Sequence, residues 1–190
     1  MIAFFDRLAP MWDADMVRNE AVIGTILDNA GVAAGKTVLD VACGTGVLIP
    51  DYLSRGVASV TGIDVSPRMA EIARAKFEGE RVHIVCGDAE RCTFDRRFDC
   101  IVVYNAFPHF ADPERLIRTL SEALAPGGTL SIAHGMSREK LNAHHHGTPE
   151  SVSCGLMPIE TLSEIMRKYL RITAAVSDDR MYQVCGTRMK

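Results

Sequence analysis

No apolar run in the 190-residue chain approaches the length that a bilayer-spanning helix needs. The opening residues, Met-Ile-Ala-Phe-Phe-Asp-Arg, lack a cationic stretch followed by an apolar core, so no secretory signal is expected. There is no long basic run, and the net charge is only −3. A broad electrostatic footprint for DNA or RNA is therefore not expected. The six cysteines, Cys43, Cys86, Cys92, Cys100, Cys154 and Cys185, form no C-x-x-C pair. Reduced, mostly structural thiols in a cytoplasm are the expectation. No internal repeat occurs, and His144-His145-His146 is the only low-complexity tract. The length suits one domain with a substantial core, spanning residues 1–190.

The informative stretch is Thr37-Val-Leu-Asp-Val-Ala-Cys-Gly-Thr-Gly-Val-Leu48. Val38, Leu39 and Val41 suit a buried strand. Asp40 stands near its end, and a turn with Gly44 and Gly46 follows. Strand, glycine turn and helix together let a ligand approach bare backbone. A phosphate loop wants a lysine and open amides, and an acid beside it would repel phosphate. Asp40 suits a ligand with positive charge instead. The nicotinamide-dinucleotide fingerprint G-x-G-x-x-G/A is incomplete, because Ile49 takes the third glycine's place.

Apolar periodicity predicts two short helices within residues 2–31, ending at Gly31. Strands are expected near 37–41, 58–63, 81–86, 98–103 and 128–134. Helices are expected near 46–55, 67–77, 113–124 and 158–168. Ser66-Pro67 and Asp112-Pro113 read as helix starts, and Pro126-Gly127-Gly128 as a breaker. Residues 170–177 and 181–188 read as a closing hairpin that turns at Asp178-Asp179. Repeated β-α units require a mostly parallel sheet with helices on both faces.

Asp40-x-Ala42-Cys43-Gly44-Thr45-Gly46 resembles motif I of the class I S-adenosylmethionine (SAM) dependent methyltransferases. The resemblance is good over about residues 35–135 and only general at the ends. It implies a Rossmann-like α/β domain with a seven-stranded sheet in the order 3-2-1-4-5-7-6. It also implies SAM as cofactor and S-adenosylhomocysteine (SAH) as product. Asp40, Ala42, Cys43, Gly44 and Gly46 would then form the cofactor turn. Asp64, at the end of the second strand, would accept both ribose hydroxyls, with Val65 and Met69 just beyond it; the plainer reading is a cap for the next helix. Cys86-Gly-Asp-Ala-Glu90 resembles the family's G-D-A motif, which implies that Asp88 and the Ala89 backbone meet adenine, unless Asp88 only makes a turn. Tyr104 and Asn105, after the fourth strand, would border the methionine end of the cofactor. The [DN]-P-P-[YFW] motif of amino-methylating DNA enzymes is absent, since Ala106, Phe107 and Pro108 follow Asn105. Leu124-Ala-Pro-Gly-Gly128 resembles the family's L-x-P-G-G turn, a structural feature.

Methyl transfer from a sulfonium is an in-line displacement, so positioning does most of the work and a base is needed only for a protonated acceptor. Five of the six histidines, His109, His134, His144, His145 and His146, follow predicted strand ends or lie just beyond them. His134, His109 and His145 are candidate catalytic bases. Acceptor contacts are expected from Trp12, His109, His134 and the His144–His146 triplet, with residues 135–157 as the acceptor-site segment. For His109, simple core packing is the alternative. The triplet has two alternatives, a metal site shared with His134 or a solvated loop. Three adjacent residues do not easily face one ion, so no metal ligand is assigned. The stretch Phe4-Phe5-Asp-Arg-Leu-Ala-Pro-Met-Trp12-Asp13 resembles the start of small-molecule methyltransferases related to quinone biosynthesis, where residues like 1–31 form a lid. Phe5, Met11 and Trp12 would exclude water there, or merely pack on the sheet.

The expected function is methyl transfer from SAM to a small-molecule acceptor, with no nucleic-acid partner, no membrane insertion and no assigned oligomeric state. A SAM-binding module without turnover and a nicotinamide-dependent oxidoreductase are the rival readings. Arsenite methylation is disfavoured, because the cysteines do not cluster at the sheet edge.

Overall fold

The structure is a computed structural model that describes residues 1–14, 16–145 and 155–189. An N-terminal helix α1 (Ile2–Leu8) runs into a 3₁₀ turn (Ala9–Met11), and α2 (Glu20–Asn29) follows. The sheet then builds as β1 (Thr37–Val41), α3 (Ile49–Ser54), β2 (Ser59–Asp64), α4 (Pro67–Phe77), β3 (Val82–Cys86) and β4 (Phe98–Tyr104). After a 3₁₀ turn (Phe107–His109) come α5 (Pro113–Ala123), β5 (Leu124–His134), α6 (Arg138–His145) and α7 (Ile159–Arg167). The hairpin β6 (Arg171–Ser177) and β7 (Tyr182–Thr187) closes the fold.

The seven strands lie in the order β3-β2-β1-β4-β5-β7-β6, as the resemblance implied. β1 pairs in parallel with both β2 and β4, with Asp40 opposite Gly62 on one side and Val102 on the other. β7 runs antiparallel to both neighbours. Strand order therefore reverses between β1 and β4, and an open parallel sheet leaves a ligand crevice at that point, beyond the strands' carboxyl ends.

Alternation along β1 feeds two cores. Leu39 and Val41 pack with Ile101, Val103 and the buried Leu116, Ile117 and Leu120 of α5. Val38 packs on the opposite face with Val60, Val102, Ile23 and Tyr52. Each fully buried aliphatic side chain contributes about 1.5–3 kcal/mol, so these layers fix the sheet beneath the crevice. Local signals start the helices. The Asn19 side chain accepts a hydrogen bond from the Val22 amide, Ser66 from Met69, and Asp112 from Arg115. Each side chain satisfies an amide that the first helical turn leaves open.

Two boundaries differ from the sequence expectation by three residues or more, and one further helix is present. α3 begins at Ile49, three residues late, because Gly46 sits at φ +87° and holds the chain out of the helix. β5 begins at Leu124 and takes in the Pro-Gly-Gly turn, since Leu124 already pairs with Phe98. Gly128 is obligatory there. A Cβ at that position would lie 2.9–3.0 Å from three backbone carbonyl oxygens. Finally, α6 occupies part of the 135–157 segment. The hairpin turn is as expected, with Asp178 accepting from the Arg180 and Met181 amides.

Candidate cofactor and acceptor pocket

A cavity of about 420 Å³ opens at the carboxyl ends of β1, β2 and β4. Asp40, Ala42, Cys43, Gly44, Asp64, Val65, Met69, Asp88, Ala89, Tyr104 and Asn105 all line it. Gly46 does not, and that expectation is corrected. Its missing Cβ would stand 2.7 Å from the Phe77 ring, so the glycine lets α4 pack against the turn. Gly44 faces the cavity, and its Cβ position is 3.7 Å from the Trp12 indole nitrogen.

Two non-glycine residues adopt left-handed backbone here, Ala42 at φ +54° and Asn105 at φ +53°. They leave β1 and β4, the strands flanking the reversal. Such conformations are costly and persist where the surroundings over-determine them. Asn105 is held by its amide on the Ala133 carbonyl and by its Oδ1, which accepts from the Gly135 amide at 2.9 Å.

The carboxylates differ in their surroundings. Asp64 is nearly buried; its Oδ2 accepts from the Gly44 amide and its Oδ1 from the Ser66 amide, both at 2.8 Å. Burial raises its pKa, against those two amide hydrogen bonds. Asp40 is 3% exposed. Its Oδ1 accepts from the Tyr52 hydroxyl at 3.2 Å, while its Oδ2 has no hydrogen-bond partner. Burial pushes its pKa up to about 7, and the negative Asp64 and Asp51 add to the rise. An unsatisfied buried carboxylate oxygen at a ligand cavity is costly unless a cation or donor arrives. Asp88 is more exposed; its Oδ1 accepts from the Glu90 amide at 2.9 Å. Burial drives the Cys43 thiol well above its ordinary pKa, so it stays an inert thiol.

The cavity also has an apolar and aromatic lining. Phe5, Trp12, His109 and Phe110 line it together with Met1 and Ile2. The Phe5 ring stands edge-on to His109 at 5.1 Å and to Trp12 at 6.1 Å. His109 and Trp12 thus both pack against Phe5 at the pocket.

His134 does not join them. It is wholly buried, does not line the cavity, and its ring lies 6.3 Å from that of Tyr182. The expectation that strand-end position would bring it to the acceptor is corrected. β5 lies one strand away from the reversal, and buried Leu141 of α6 packs with Tyr182 in the same core cluster. No described residue of the 135–157 segment lines the cavity. His144 and His145 end α6, but their side chains, and the whole of His146, lie outside the described residues. Among the described residues, no group of three His, Cys, Asp or Glu side chains converges as a metal site needs.

Sequence reasoning missed Arg18 and Glu90, which both line the cavity. Arg18 donates to both Asp51 oxygens at 2.9 Å, to the Val47 carbonyl at 2.7 Å and to Glu20 at 2.8 Å. Glu90 accepts from the Asp112 amide at 2.7 Å and so ties the loop after β3 to the start of α5. Neither role had a local signal, because Asp51 and Val47 lie far from Arg18 in sequence, as Asp112 does from Glu90.

Comparison with known proteins agrees with this geometry. A family model described as a methyltransferase domain matches residues 38–128. Over those residues the chain is similar to the class I SAM-dependent methyltransferases, and these matches support that family. A ubiquinone biosynthesis O-methyltransferase of Coxiella burnetii is 38% identical over 99 residues, which cover 50% of this chain and 42% of that one. The chain thus spans less than half the length of that methyltransferase. Two solved structures share the fold over nearly its whole length. The N-methyltransferase NodS of Bradyrhizobium japonicum, in complex with SAH, is 18% identical with a TM-score of 0.79, covering 100% of this chain and 98% of that one. The Haloferax volcanii protein solved in complex with the Trm112 methyltransferase activator is 22% identical with a TM-score of 0.81, covering 98% of both.

The methyltransferase cofactor fits the residues present. SAM carries a sulfonium and an α-ammonium, and the buried Asp40 Oδ2 lacks the partner such a cation would supply. Asp64 keeps lone pairs beyond its two amide bonds for a vicinal diol.

Proposed function

We propose that this chain transfers a methyl group from SAM to a small, uncharged or cationic acceptor with an apolar body. One observation carries the reading. Asp40, Ala42, Cys43 and Gly44 of motif I, Asp64, Asp88 and the aromatic cluster of Phe5, Trp12 and His109 all line a single cavity. When bound, SAM supplies an electrophilic methyl on sulfur. The chain's own residues then do five things. Asp40 pairs with the cofactor's cationic end, Asp64 accepts from the ribose hydroxyls, and Asp88 with the Ala89 amide meets adenine. Phe5, Trp12 and Phe110 exclude water and orient the acceptor. His109 accepts a proton where the acceptor loses one. Pre-positioned reactants in a water-poor pocket account for most of such a rate enhancement.

The acceptor class follows from the lining charges. Asp40, Asp64, Asp88 and Glu90 are acidic, and Arg18, the one guanidinium that lines the cavity among the described residues, is already engaged by Glu20 and Asp51. An anionic acceptor would meet repulsion there. The test is SAH release from SAM over a panel of matched small phenols, amines and carboxylates. Product with a phenol or amine supports the reading. SAH binding without product on any acceptor leaves a SAM-binding module. Turnover on carboxylates alone overturns the acceptor class.

A further inference from the structure

The two aspartates of the N-terminal Phe5-Asp-Arg-Leu-Ala-Pro-Met-Trp12-Asp stretch have no part in the pocket, since neither Asp6 nor Asp13 lines it. Each follows directly on a lining aromatic residue, Asp6 after Phe5 and Asp13 after Trp12. Each reaches across to a different cofactor loop. Asp13 Oδ1 accepts the hydroxyl of Thr45, a wholly buried residue between Gly44 and Gly46. Its Oδ2 accepts from Lys76 Nζ at 2.7 Å. Asp6 Oδ1 accepts the hydroxyl of Ser66, also wholly buried, and the Arg68 amide at 3.2 Å.

These two attachments meet at Asp64. Its Oδ2 holds the amide of Gly44, next to Thr45, and its Oδ1 holds the amide of Ser66 itself. The chain of bonds runs from the lid at Asp13, through the glycine turn and Asp64, to Ser66 and back to the lid at Asp6. Phe5 and Trp12 are held over the cavity by the residues that follow them, and both anchors sit on loops that Asp64 bridges.

We infer that Asp6 and Asp13 are positioning residues that latch the aromatic lid to the two loops joined by Asp64, so that lid closure and occupation of the Asp64 subsite stabilise each other. Like the acceptor reading, this rests on SAH binding in the cavity. Because Phe5 and Trp12 cover the ligand, the latch must open for product to leave. It therefore governs dissociation more than association. Coupling of this kind is reciprocal: what holds the lid raises ligand affinity, and ligand holds the lid.

The chain's single tryptophan, Trp12, is a built-in reporter. Acrylamide quenching of Trp12 and stopped-flow release of SAH would be compared for wild type, Asp6→Asn, Asp13→Asn, Thr45→Val and Thr45→Ser. Thr45→Val keeps the shape of a buried residue and removes only the donor, and Thr45→Ser restores the hydroxyl. Asp13→Asn and Thr45→Val are each expected to raise the SAH dissociation rate at least fivefold, with the association rate within about twofold. Thr45→Ser is expected to stay near wild type. Trp12 should become more quenchable in both loosened variants, even without ligand. Dissociation within about twofold of wild type in every variant, with unchanged quenching, overturns the latch. A parallel rise for Thr45→Ser and Thr45→Val also overturns it, because the hydroxyl would then be irrelevant. Wild type that shows no SAH binding overturns the functional reading, while ligand-free quenching still decides whether the aspartates hold the lid.

Discussion

The Asp64 carboxylate accepts a hydrogen bond from the Gly44 amide at 2.8 Å, joining the end of β2 to the glycine turn after β1. One side chain thereby shapes the turn and faces the cavity. Its loss should act twice, on ligand contacts and on the loop that frames them. Asp64→Ala is expected to weaken SAH binding at least tenfold, since charge-assisted hydrogen bonds contribute about 1.5–3 kcal/mol each. Asp64→Asn should cost less, because one acceptor remains. Isothermal titration of SAH against both variants measures this, and an unchanged affinity for Asp64→Ala would place the ribose elsewhere.

Ala42 and Gly46 give opposite expectations within one turn. Ala42 holds φ +54°, where an L side chain costs about 1–2 kcal/mol. Ala42→Gly removes that strain but frees the unfolded chain by about 0.4–1 kcal/mol. A net gain of up to about 1 kcal/mol is expected in the ligand-free protein. Gly46→Ala should instead destabilise, because its new methyl would meet the Phe77 ring at 2.7 Å in a strained backbone at φ +87°. Denaturant midpoints of the two variants should move in opposite directions.

Asp40 makes the ligand-free protein sensitive to pH. Its folded pKa is raised to about 7 by burial, from an ordinary value of 3.8. Between those values the folded state holds a proton that the unfolded state has lost. Stability contributed by this group is present at the acid end of that window and falls as pH rises toward 7. Asp40→Asn should abolish that slope and make the ligand-free protein more stable near pH 8. The same variant should bind SAM more weakly, since a cation favours the ionised carboxylate. Thermal midpoints from pH 4 to pH 8, with and without SAM, check both signs.

His109 is separable from the cofactor contacts. His109→Phe keeps a ring against Phe5 and removes the proton acceptor. Where the acceptor must lose a proton, turnover should fall by about 10²–10⁴-fold. SAH affinity should stay within about threefold. Steady-state turnover set beside SAH titration separates the two effects. Unchanged turnover on a protonated acceptor would assign His109 to packing alone.

Local sequence was enough for the repeating units. The apolar residues Val38, Leu39 and Val41 and the Ser66-Pro67 start placed β1 and α4 at their observed residues. The strand order came from the family resemblance, and the structure carries it. Most of the cofactor residues named from the motifs do line one cavity, because their positions follow from strand ends at the reversal. What escaped was long-range. His134 ends a strand as its motif neighbours do, yet it is wholly buried and away from the cavity. Arg18 carries no motif, and its place depends on Asp51, 33 residues away. Gly46 looked like a ligand contact because turn glycines often are, whereas the demand on it comes from Phe77 of another helix.

The central claim is that the cavity holds the methyl donor and its product. The most direct measurement is the thermal unfolding of ligand-free protein with SAH titrated in. At a hundred times its dissociation constant, SAH should stabilise the fold by about 2.7 kcal/mol, and the same concentration of NADH should not. A folded, ligand-free sample whose unfolding midpoint does not move at millimolar SAH would contradict the account.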